Sequence, residues 1–241
     1  MAAQRVNEYR QPIGPALADW SARSAPPSTA MHGRYCRVEP IDIERHGASL
    51  YAAFRAAPDG RDWTYMSVGP FNDRAKFDAH LTRIAASVDP LHHAIVDADT
   101  GDAVGTAALM RIDRFNGVIE VGHISYSRGL QRTTAATEAM FLFMQRAFDE
   151  LGYRRFEWKC DDLNAPSRAA ALRYGFTFEG IFRQAVVYKG RSRDTAWFSM
   201  TDGEWKRVRD AYRQWLAPDN FDADGKQRQR LVELIDATRR R

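Results

Sequence analysis

The 241-residue chain has few cysteines and no spacing typical of metal ligands. Cys36 and Cys160 are its only two cysteines, too few for a disulfide framework, and they do not form a CxxC pair. The sequence also lacks an apolar run of membrane-spanning length, and its N-terminus lacks a charged start followed by an apolar segment. We therefore expect a soluble, cytoplasmic protein with no metal centre and no membrane association.

The chain also lacks a large excess of charge of one sign. Its 35 Lys and Arg residues against 31 Asp and Glu residues give a formal net charge of +4, and both signs are mixed along the chain. Such a balance favours anionic ligands only mildly and is unlike the basic patch of nucleic-acid-binding proteins. Because 44% of the residues are hydrophobic, the chain can bury a core. We expect a globular protein with no nucleic-acid partner.

Neither common glycine-rich nucleotide-binding loop is present. The absence of GxxxxGK[ST] and GxGxxG disfavours a nucleotide-binding enzyme. The segment LQRTTAATEA, residues 130–139, nevertheless places a short turn before a long apolar helix pattern. Unpaired N–H groups at a helix start, together with the helix dipole, form an anion site suited to a pyrophosphate. An ordinary helix capped by Thr133 or Thr134 explains the same residues, so both interpretations stand at this point.

The order of the predicted elements indicates a mixed α/β protein. Residues 1–33 are rich in Ala, Pro, Ser and Gly and predict a loosely ordered N-terminal arm. Residues 34–205 predict a strand, two helices, an antiparallel meander of three strands, a long helix, a strand, a short helix and two strands. Residues 206–241 predict a helical extension. This order gives one sheet with an antiparallel first half and one parallel crossover.

Several motifs, taken in order, resemble those of the GNAT acyltransferases. LQRTTAATEA resembles the family's Q/R-x-x-G-x-G/A loop, with Gln131 and Ala136 at its ends and Thr134 in the place of the glycine. The TEA segment is similar to the ribosomal-protein N-acetyltransferase branch of that superfamily. So is GYRRFEWKCDDLNAPSRAAALRYGFTFEG, in which an arginine-bearing strand leads to N-x-x-S and then to G-F-x-x-E-G. The resemblance covers roughly residues 34–205.

The resemblance implies the GNAT fold, a central and mostly antiparallel twisted sheet with a parallel, splayed strand pair, flanked by helices. Acetyl-CoA, as co-substrate, would lie between the strands VGHISYS and RRFEWKC. Its pyrophosphate would bind N–H groups of the loop, and its pantetheine would pair with strand backbone. The implied binding residues are Ile124, Ser125, Tyr126, Gln131, Arg132, Thr133, Thr134, Ala135, Ala136, Thr137, Asn164 and Ser167.

Transfer of an acetyl group to an amine requires a neutral amine and a polarised thioester carbonyl. Glu120 is the candidate base, because family members often carry a glutamate on this strand that acts through water. A strand glutamate that faces solvent or pairs with an arginine is the plainer alternative. His123 is the reserve base and a candidate acceptor-binding residue. Strict alternation places it on the opposite face from Glu120 unless a bulge intervenes.

The sulfur that leaves acetyl-CoA needs a second side chain to assist its departure. Many family members carry a tyrosine seven residues after the asparagine, where this chain has Ala171, so that acid is absent. The resemblance implies that Ser167 lies near the sulfur and that Asn164 bonds the pantetheine, and plain helix capping explains the same pair equally well. Trp63 and Tyr65 are candidates for an acceptor wall, although aromatic residues more often fill a core.

The chain is therefore expected to be an acyltransferase that transfers the acetyl group of acetyl-CoA to a primary amine by direct attack. The acceptor would be a protein N-terminus or a small-molecule amine. The alternative is a non-catalytic acyl-CoA-binding or regulatory module, in which the altered loop and the missing tyrosine reflect lost chemistry. The C-terminal extension is predicted to form a homodimer contact or a cover over the cleft.

Overall fold

A computed structural model describes residues 5–239, so residues 1–4 of the arm and 240–241 of the extension lie outside it. Its strands are β1 (Arg5–Val6), β2 (Pro12–Ile13), β3 (Met31–His32), β4 (Cys36–Pro40), β5 (Leu91–Asp97), β6 (Ala103–Asp113), β7 (Val118–Tyr126), β8 (Arg155–Asp161), β9 (Thr177–Tyr188) and β10 (Arg191–Thr201). Its α-helices are α1 (Ile43–Arg55), α2 (Arg74–Ala85), α3 (Thr134–Gln145), α4 (Ala165–Arg173), α5 (Asp202–Leu216) and α6 (Leu231–Arg239).

Eight of these strands form one sheet in the order β3-β4-β5-β6-β7-β8-β10-β9. Neighbouring strands are antiparallel except for β7 and β8, which are parallel. The predicted meander is β5-β6-β7, and the predicted parallel crossover runs from β7 through α3 to β8. The predicted fold class is therefore confirmed.

Helices cover the two faces of the sheet unequally. On one face α3, α5 and α6 pack over what we call the main core, where Phe143, Phe156, Phe198 and Tyr212 are fully buried. On the other face α1 and α2 bury Leu50, Phe77 and Leu81 against β5 and β6 in a second, smaller core. Each such side chain contributes about 1.5–3 kcal/mol by leaving water. The strands β7 and β8 thus have their main-core side filled and their other side partly open.

Capping side chains and a glycine mark the ends of several helices. Asp42 caps α1 by accepting from the Arg45 N–H at 3.0 Å, and Asp73 caps α2 by accepting from the Lys76 N–H at 2.9 Å. The long helix predicted after the meander is α-helical to Gln145 and continues as a π-helical turn over Arg146–Glu150. It stops at Gly152, whose positive φ of 68° suits a residue without a Cβ.

The N-terminal arm is more ordered than its composition suggests. It contributes β3 to the edge of the sheet, and the Trp20 indole donates to the Phe115 carbonyl at 2.8 Å. The buried Arg146 donates to the Thr29 hydroxyl at 3.1 Å, and the buried Glu138 accepts from the N–H groups of Arg34, Tyr35 and Cys36. These partners lie more than 90 residues away in sequence, so local composition does not indicate them.

The C-terminal extension belongs to the main core. Trp205, Tyr212 and Trp215 of α5 are buried there, and Leu231 and Ile235 of α6 pack against them. Both helices therefore lie on the face opposite α1 and α2. No helix among residues 5–239 is long and apolar enough to cross a membrane.

Candidate active site

The parallel strands β7 and β8 separate halfway along their length. Their pairing runs from Val118 opposite Arg155 to Val121 opposite Trp158, and then stops. Beyond that point β7 stays paired with β6 as far as Tyr126, while β8 follows β10 as far as Asp161. The facing edges of residues 122–126 and 159–161 therefore diverge and leave backbone groups without a ladder partner. The predicted splayed pair is present in the structure.

A bulge in β7 turns His123 toward the same face as Glu120. Between Gly122 and Ser125 this strand has one more residue than β6 has between Ala108 and Thr106, and His123 has a positive φ of 48°. Glu120 points away from the main core, because Ile119 and Val121 on either side of it belong to that core. His123 and Ser125 both line a cavity on the α2 side. The prediction from strict alternation is wrong for His123, and the bulge is the reason.

The turn before α3 has no glycine between Leu130 and the start of the helix. The Leu130 and Gln131 N–H groups donate to the Ser127 carbonyl at 3.0 and 2.9 Å, and the Gln131 side chain donates to the Tyr126 carbonyl at 2.9 Å. Arg132 then takes the left-handed conformation at φ 65°, a position where glycine is the usual residue. The chain therefore reaches the helix start at some conformational cost.

Thr133 is the residue that caps α3. Its hydroxyl accepts from the Ala136 N–H at 3.1 Å and donates to the Leu130 carbonyl at 2.7 Å. The N–H groups of Arg132, Thr134 and Ala135 have no hydrogen-bond acceptor within residues 5–239. Capping and anion binding are therefore compatible here, because the cap uses one donor and leaves three at the helix start.

Asn164 and Ser167 occupy the start of α4 as predicted for a helix cap. Asn164 Oδ1 accepts from the Ser167 N–H at 3.2 Å, and Ser167 Oγ accepts from the Trp158 indole at 3.0 Å. Because an indole only donates, the Ser167 hydroxyl does not use its own proton in this contact. The Cys160 side chain forms a hydrogen bond with the Ser167 hydroxyl; burial raises the pKa of the Cys160 thiol, and this hydrogen bond opposes the rise. Tyr174 offers no substitute acid, since its hydroxyl is buried 3.5 Å from the Ala136 carbonyl.

Glu120 is held by cations on the open side of β7 and β8. Lys159 Nζ lies 2.8 Å and Arg111 Nε 3.1 Å from Glu120 Oε2. The same Lys159 ammonium lies 2.6 Å from Glu157 and 3.8 Å from the centre of the Trp197 ring. Burial raises the pKa of Glu120, and both neighbouring cations oppose that rise. Glu120 therefore matches the alternative given in the sequence analysis, an ion-paired strand glutamate. It does not line the cavity that His123 and Ser125 line.

The cavity has a volume of about 190 Å³ and lies between α1, α2, the segment after α1 and the strands β5 to β7. Two residues expected at an acceptor site, Trp63 and His123, line it. Tyr65 does not, and its hydroxyl donates to the Leu163 carbonyl at 3.0 Å. No group of three or more His, Cys, Asp and Glu side chains within residues 5–239 is placed to hold a metal ion.

Two further histidines line the cavity. The His92 ring lies 5.2 Å from the His123 ring, and His80 stacks on Phe71 at 4.8 Å. Burial lowers the pKa of His80 to about 4 and that of His92 to about 3, and burial also lowers the pKa of His123. The consecutive pair of histidines at 92 and 93 in a strand was the available signal, since alternation must turn one of them toward α2.

The wall formed by residues 61–68 is tied to the turn between β9 and β10. Lys189 donates to the Trp63 carbonyl at 2.9 Å, and Arg191 donates to the Thr64 carbonyl at 2.6 Å. The Trp63 ring packs edge-on against Phe71 at 5.4 Å, and a Cβ at Gly69 would overlap it. The aromatic wall is therefore fixed from both sides rather than free to move as a loop.

Comparison with known proteins agrees with this geometry. The family model of the acetyltransferase (GNAT) domain matches residues 37–177, more than half of the chain. The crystal structure of a GCN5-related N-acetyltransferase from Brucella melitensis is 49% identical, with a TM-score of 0.90 over 91% of this chain and 100% of that one. A probable GNAT-family acetyltransferase from Chromobacterium violaceum is 43% identical, with a TM-score of 0.75 over 81% of this chain and 98% of that one.

A curated relative is also similar. The uncharacterized N-acetyltransferase p20 of Bacillus licheniformis is 27% identical over 144 residues, which are 58% of this chain and 80% of the relative. The chain belongs to the GNAT acetyltransferase family and is an acyltransferase. Members of this family use an acyl-CoA and an acceptor.

Proposed function

We propose that the protein transfers the acetyl group of acetyl-CoA to a small or terminal primary amine by direct attack. The observation that carries this proposal is the divergence of β7 from β8 beside a helix start with three free N–H donors. An extended thioester can lie along the unpaired edge, with its charged end at the donors. His123 lines a cavity on the face of β7 that points away from the main core, and the acceptor amine would approach through this cavity.

The chain offers specific groups to acetyl-CoA. The N–H groups of Arg132, Thr134 and Ala135 suit the pyrophosphate, because they point out of the start of α3 where the helix dipole favours an anion. Among the other predicted loop contacts, the N–H of Thr133 donates to the Leu130 carbonyl and that of Ala136 to the Thr133 side chain. We therefore assign the pyrophosphate to the three free donors alone.

The pantetheine would extend along the edge of β7 that faces β8. Ile124 lies on this unpaired edge within the bulge, and its backbone is the proposed partner of the pantetheine. Ser125 lines the cavity, and the Tyr126 carbonyl is already bonded to Gln131. Asn164 and Ser167 stand at the start of α4, just beyond the end of β8.

We assign the amine proton to His123 rather than to Glu120. In the reaction the amine nitrogen forms a bond to the thioester carbon, the carbon–sulfur bond breaks, and one amine proton must leave. His123 lines the cavity and is neutral at physiological pH, because burial lowers its pKa. Glu120 lies outside the cavity and is engaged by Lys159 and Arg111. Ser167 is the group proposed to stabilise the leaving thiolate by a hydrogen bond, since its hydroxyl proton is not used in the contact with Trp158.

Release of the CoA thiol tests the proposal. With acetyl-CoA present, we expect thiol release that depends on added amine and rises with the neutral fraction of that amine. A panel of an amino acid, a polyamine and a peptide with a free N-terminus covers the acceptor classes. Tight binding of acetyl-CoA with no release for any amine would instead identify a non-catalytic acyl-CoA-binding module.

A further inference from the structure

The acceptor cavity contains no carboxylate. Within residues 5–239, none of its lining residues is Asp or Glu, and Arg83 is the one lining residue that carries a full charge. Glu120 lies outside the cavity and is paired with two cations. A site for a polycation needs fixed negative charge to offset the cost of desolvating ammonium groups. The cavity therefore disfavours polyamines and similar acceptors.

Arg83 is held in place by a neutral histidine. Its guanidinium lies 2.9 Å from His80 Nδ1, and because arginine only donates, that ring nitrogen must be the acceptor. The His80 ring is fixed in turn by stacking on Phe71 at 4.8 Å. Arg83 is exposed to solvent and also lines the cavity, so a ligand in the cavity can reach its side chain. Such a planar, always charged group suits a carboxylate.

The interior of the cavity is apolar and small. Its walls include Phe54, Trp63, Phe77, Leu81 and Ile84, and burial keeps the imidazoles of the cavity neutral. Its volume of about 190 Å³ lies below the roughly 300–1,000 Å³ of sites for drug-sized ligands. A ligand of amino-acid size, with one apolar side chain, matches this space.

We propose that the acceptor is a free amino acid with an apolar side chain, whose carboxylate pairs with Arg83 while its amine faces His123. This inference rests on the function proposed above and narrows its acceptor class. Pairing at the mouth would leave the apolar side chain against the aromatic wall. No other charge on the acceptor finds a partner in the cavity.

Turnover with matched acceptors and matched variants tests the carboxylate contact. The wild type, Arg83→Gln and the control Arg207→Gln, which removes an exposed arginine from α5, are each assayed with L-phenylalanine and L-phenylalaninamide. We expect Arg83→Gln to lower the ratio of kcat/KM between the acid and the amide at least tenfold. Comparing ratios between variants cancels the different amine pKa values of the two acceptors. Arg207→Gln should leave the ratio unchanged.

Binding of a carboxylate without an amine separates this inference from catalysis. We expect 3-phenylpropanoate to bind the wild type and Arg207→Gln in calorimetry, and to bind Arg83→Gln at least tenfold more weakly. Equal binding to all three proteins, no binding, or faster acetylation of spermidine or phenethylamine than of L-phenylalanine would overturn the inference. Arg83-dependent binding without CoA release from any amine would support the carboxylate site and overturn the proposed function alone.

Discussion

At the scale of single residues, two side chains on one strand compete for the role of proton acceptor. Glu120 and His123 lie on the same face of β7 because of the bulge between them. Glu120 belongs to a buried cluster of ion pairs. Removing one charge from such a cluster mainly affects the residues that were paired with it. His123 faces the cavity. The two residues therefore predict different responses to substitution.

Substitution of each residue by one with an amide side chain separates the two roles. His123→Asn keeps a side chain that tolerates positive φ, and we expect it to lower kcat/KM by about 10²–10⁴-fold. Glu120→Gln should change kcat/KM much less, because Lys159 keeps its contact with Glu157. Measurement of both variants at saturating acetyl-CoA decides between them. A large loss in Glu120→Gln with little change in His123→Asn would contradict the assignment.

The pH dependence of kcat/KM shows which group titrates during the reaction. Burial and the nearby cations Arg83 and Arg111 lower the pKa of His123, so the imidazole titrates below its ordinary value near 6.5. The rise of kcat/KM between about pH 6.5 and 9 should therefore follow the acceptor amine, whose α-amino pKa is about 8. A limb that moves with Glu120→Gln instead would assign the titration to that carboxyl.

The Ser167 hydroxyl accepts from the Trp158 indole at 3.0 Å, so its own proton is not used in that contact. We expect Ser167→Ala to lower kcat while leaving acetyl-CoA binding nearly unchanged, because the cap depends on the Ser167 N–H and not on its hydroxyl. Steady-state kinetics with calorimetric binding of acetyl-CoA measures both. Loss of melting temperature with unchanged turnover per folded molecule would show that the hydroxyl serves only the Trp158 indole.

At the scale of elements, the start of α3 combines a helix cap with a proposed anion site. Thr134 is the first helical residue, a position that tolerates proline because its N–H has no partner inside the helix. Thr133 before it is extended, with ψ 167°, as the residue before a proline prefers. Proline at 134 therefore removes one donor with little disturbance of the helix.

This makes Thr134→Pro a specific test of the loop. A hydrogen bond to a charged group is worth about 1.5–3 kcal/mol, so we expect acetyl-CoA affinity to fall by roughly 10–100-fold. Thr134→Gly keeps the N–H, and it should bind acetyl-CoA like the wild type. Calorimetry on the three proteins measures the effect. Normal binding by the proline variant would mean that the turn only caps the helix.

Some elements of the site could be predicted from the sequence, and others could not. The meander, the crossover and the caps Asn164 and Thr133 follow local patterns, so the sequence predicts them. The bulge at His123 arises from pairing with β6, and periodicity along one strand cannot reveal it. His92 lines the cavity because of the register of β5, and Arg83 lines it because of the packing of α2. Both depend on contacts between segments far apart in sequence.

At the scale of the whole molecule, the two faces of the sheet have different roles. The main-core face carries α3, α5 and α6 and holds the stable interior, including the arm contact at Arg146 and the buried helices of the extension. The α1 and α2 face carries the cavity. Among residues 206–239 of the extension, none lines that cavity, so the predicted cover over the cleft finds no support on this side. Its role as a homodimer contact stays a prediction.

The central claim is that acetyl-CoA and an amine meet between β7 and β8 and exchange an acetyl group. The most direct measurement uses acetyl-CoA with a deuterated methyl group, and follows the label by mass spectrometry in a mixture of an amino acid, a polyamine and a peptide. The account predicts that the label appears on the nitrogen of one amine in amounts equal to the free CoA formed. Formation of free CoA with the label only in acetate, or binding of acetyl-CoA without any transfer, would contradict it.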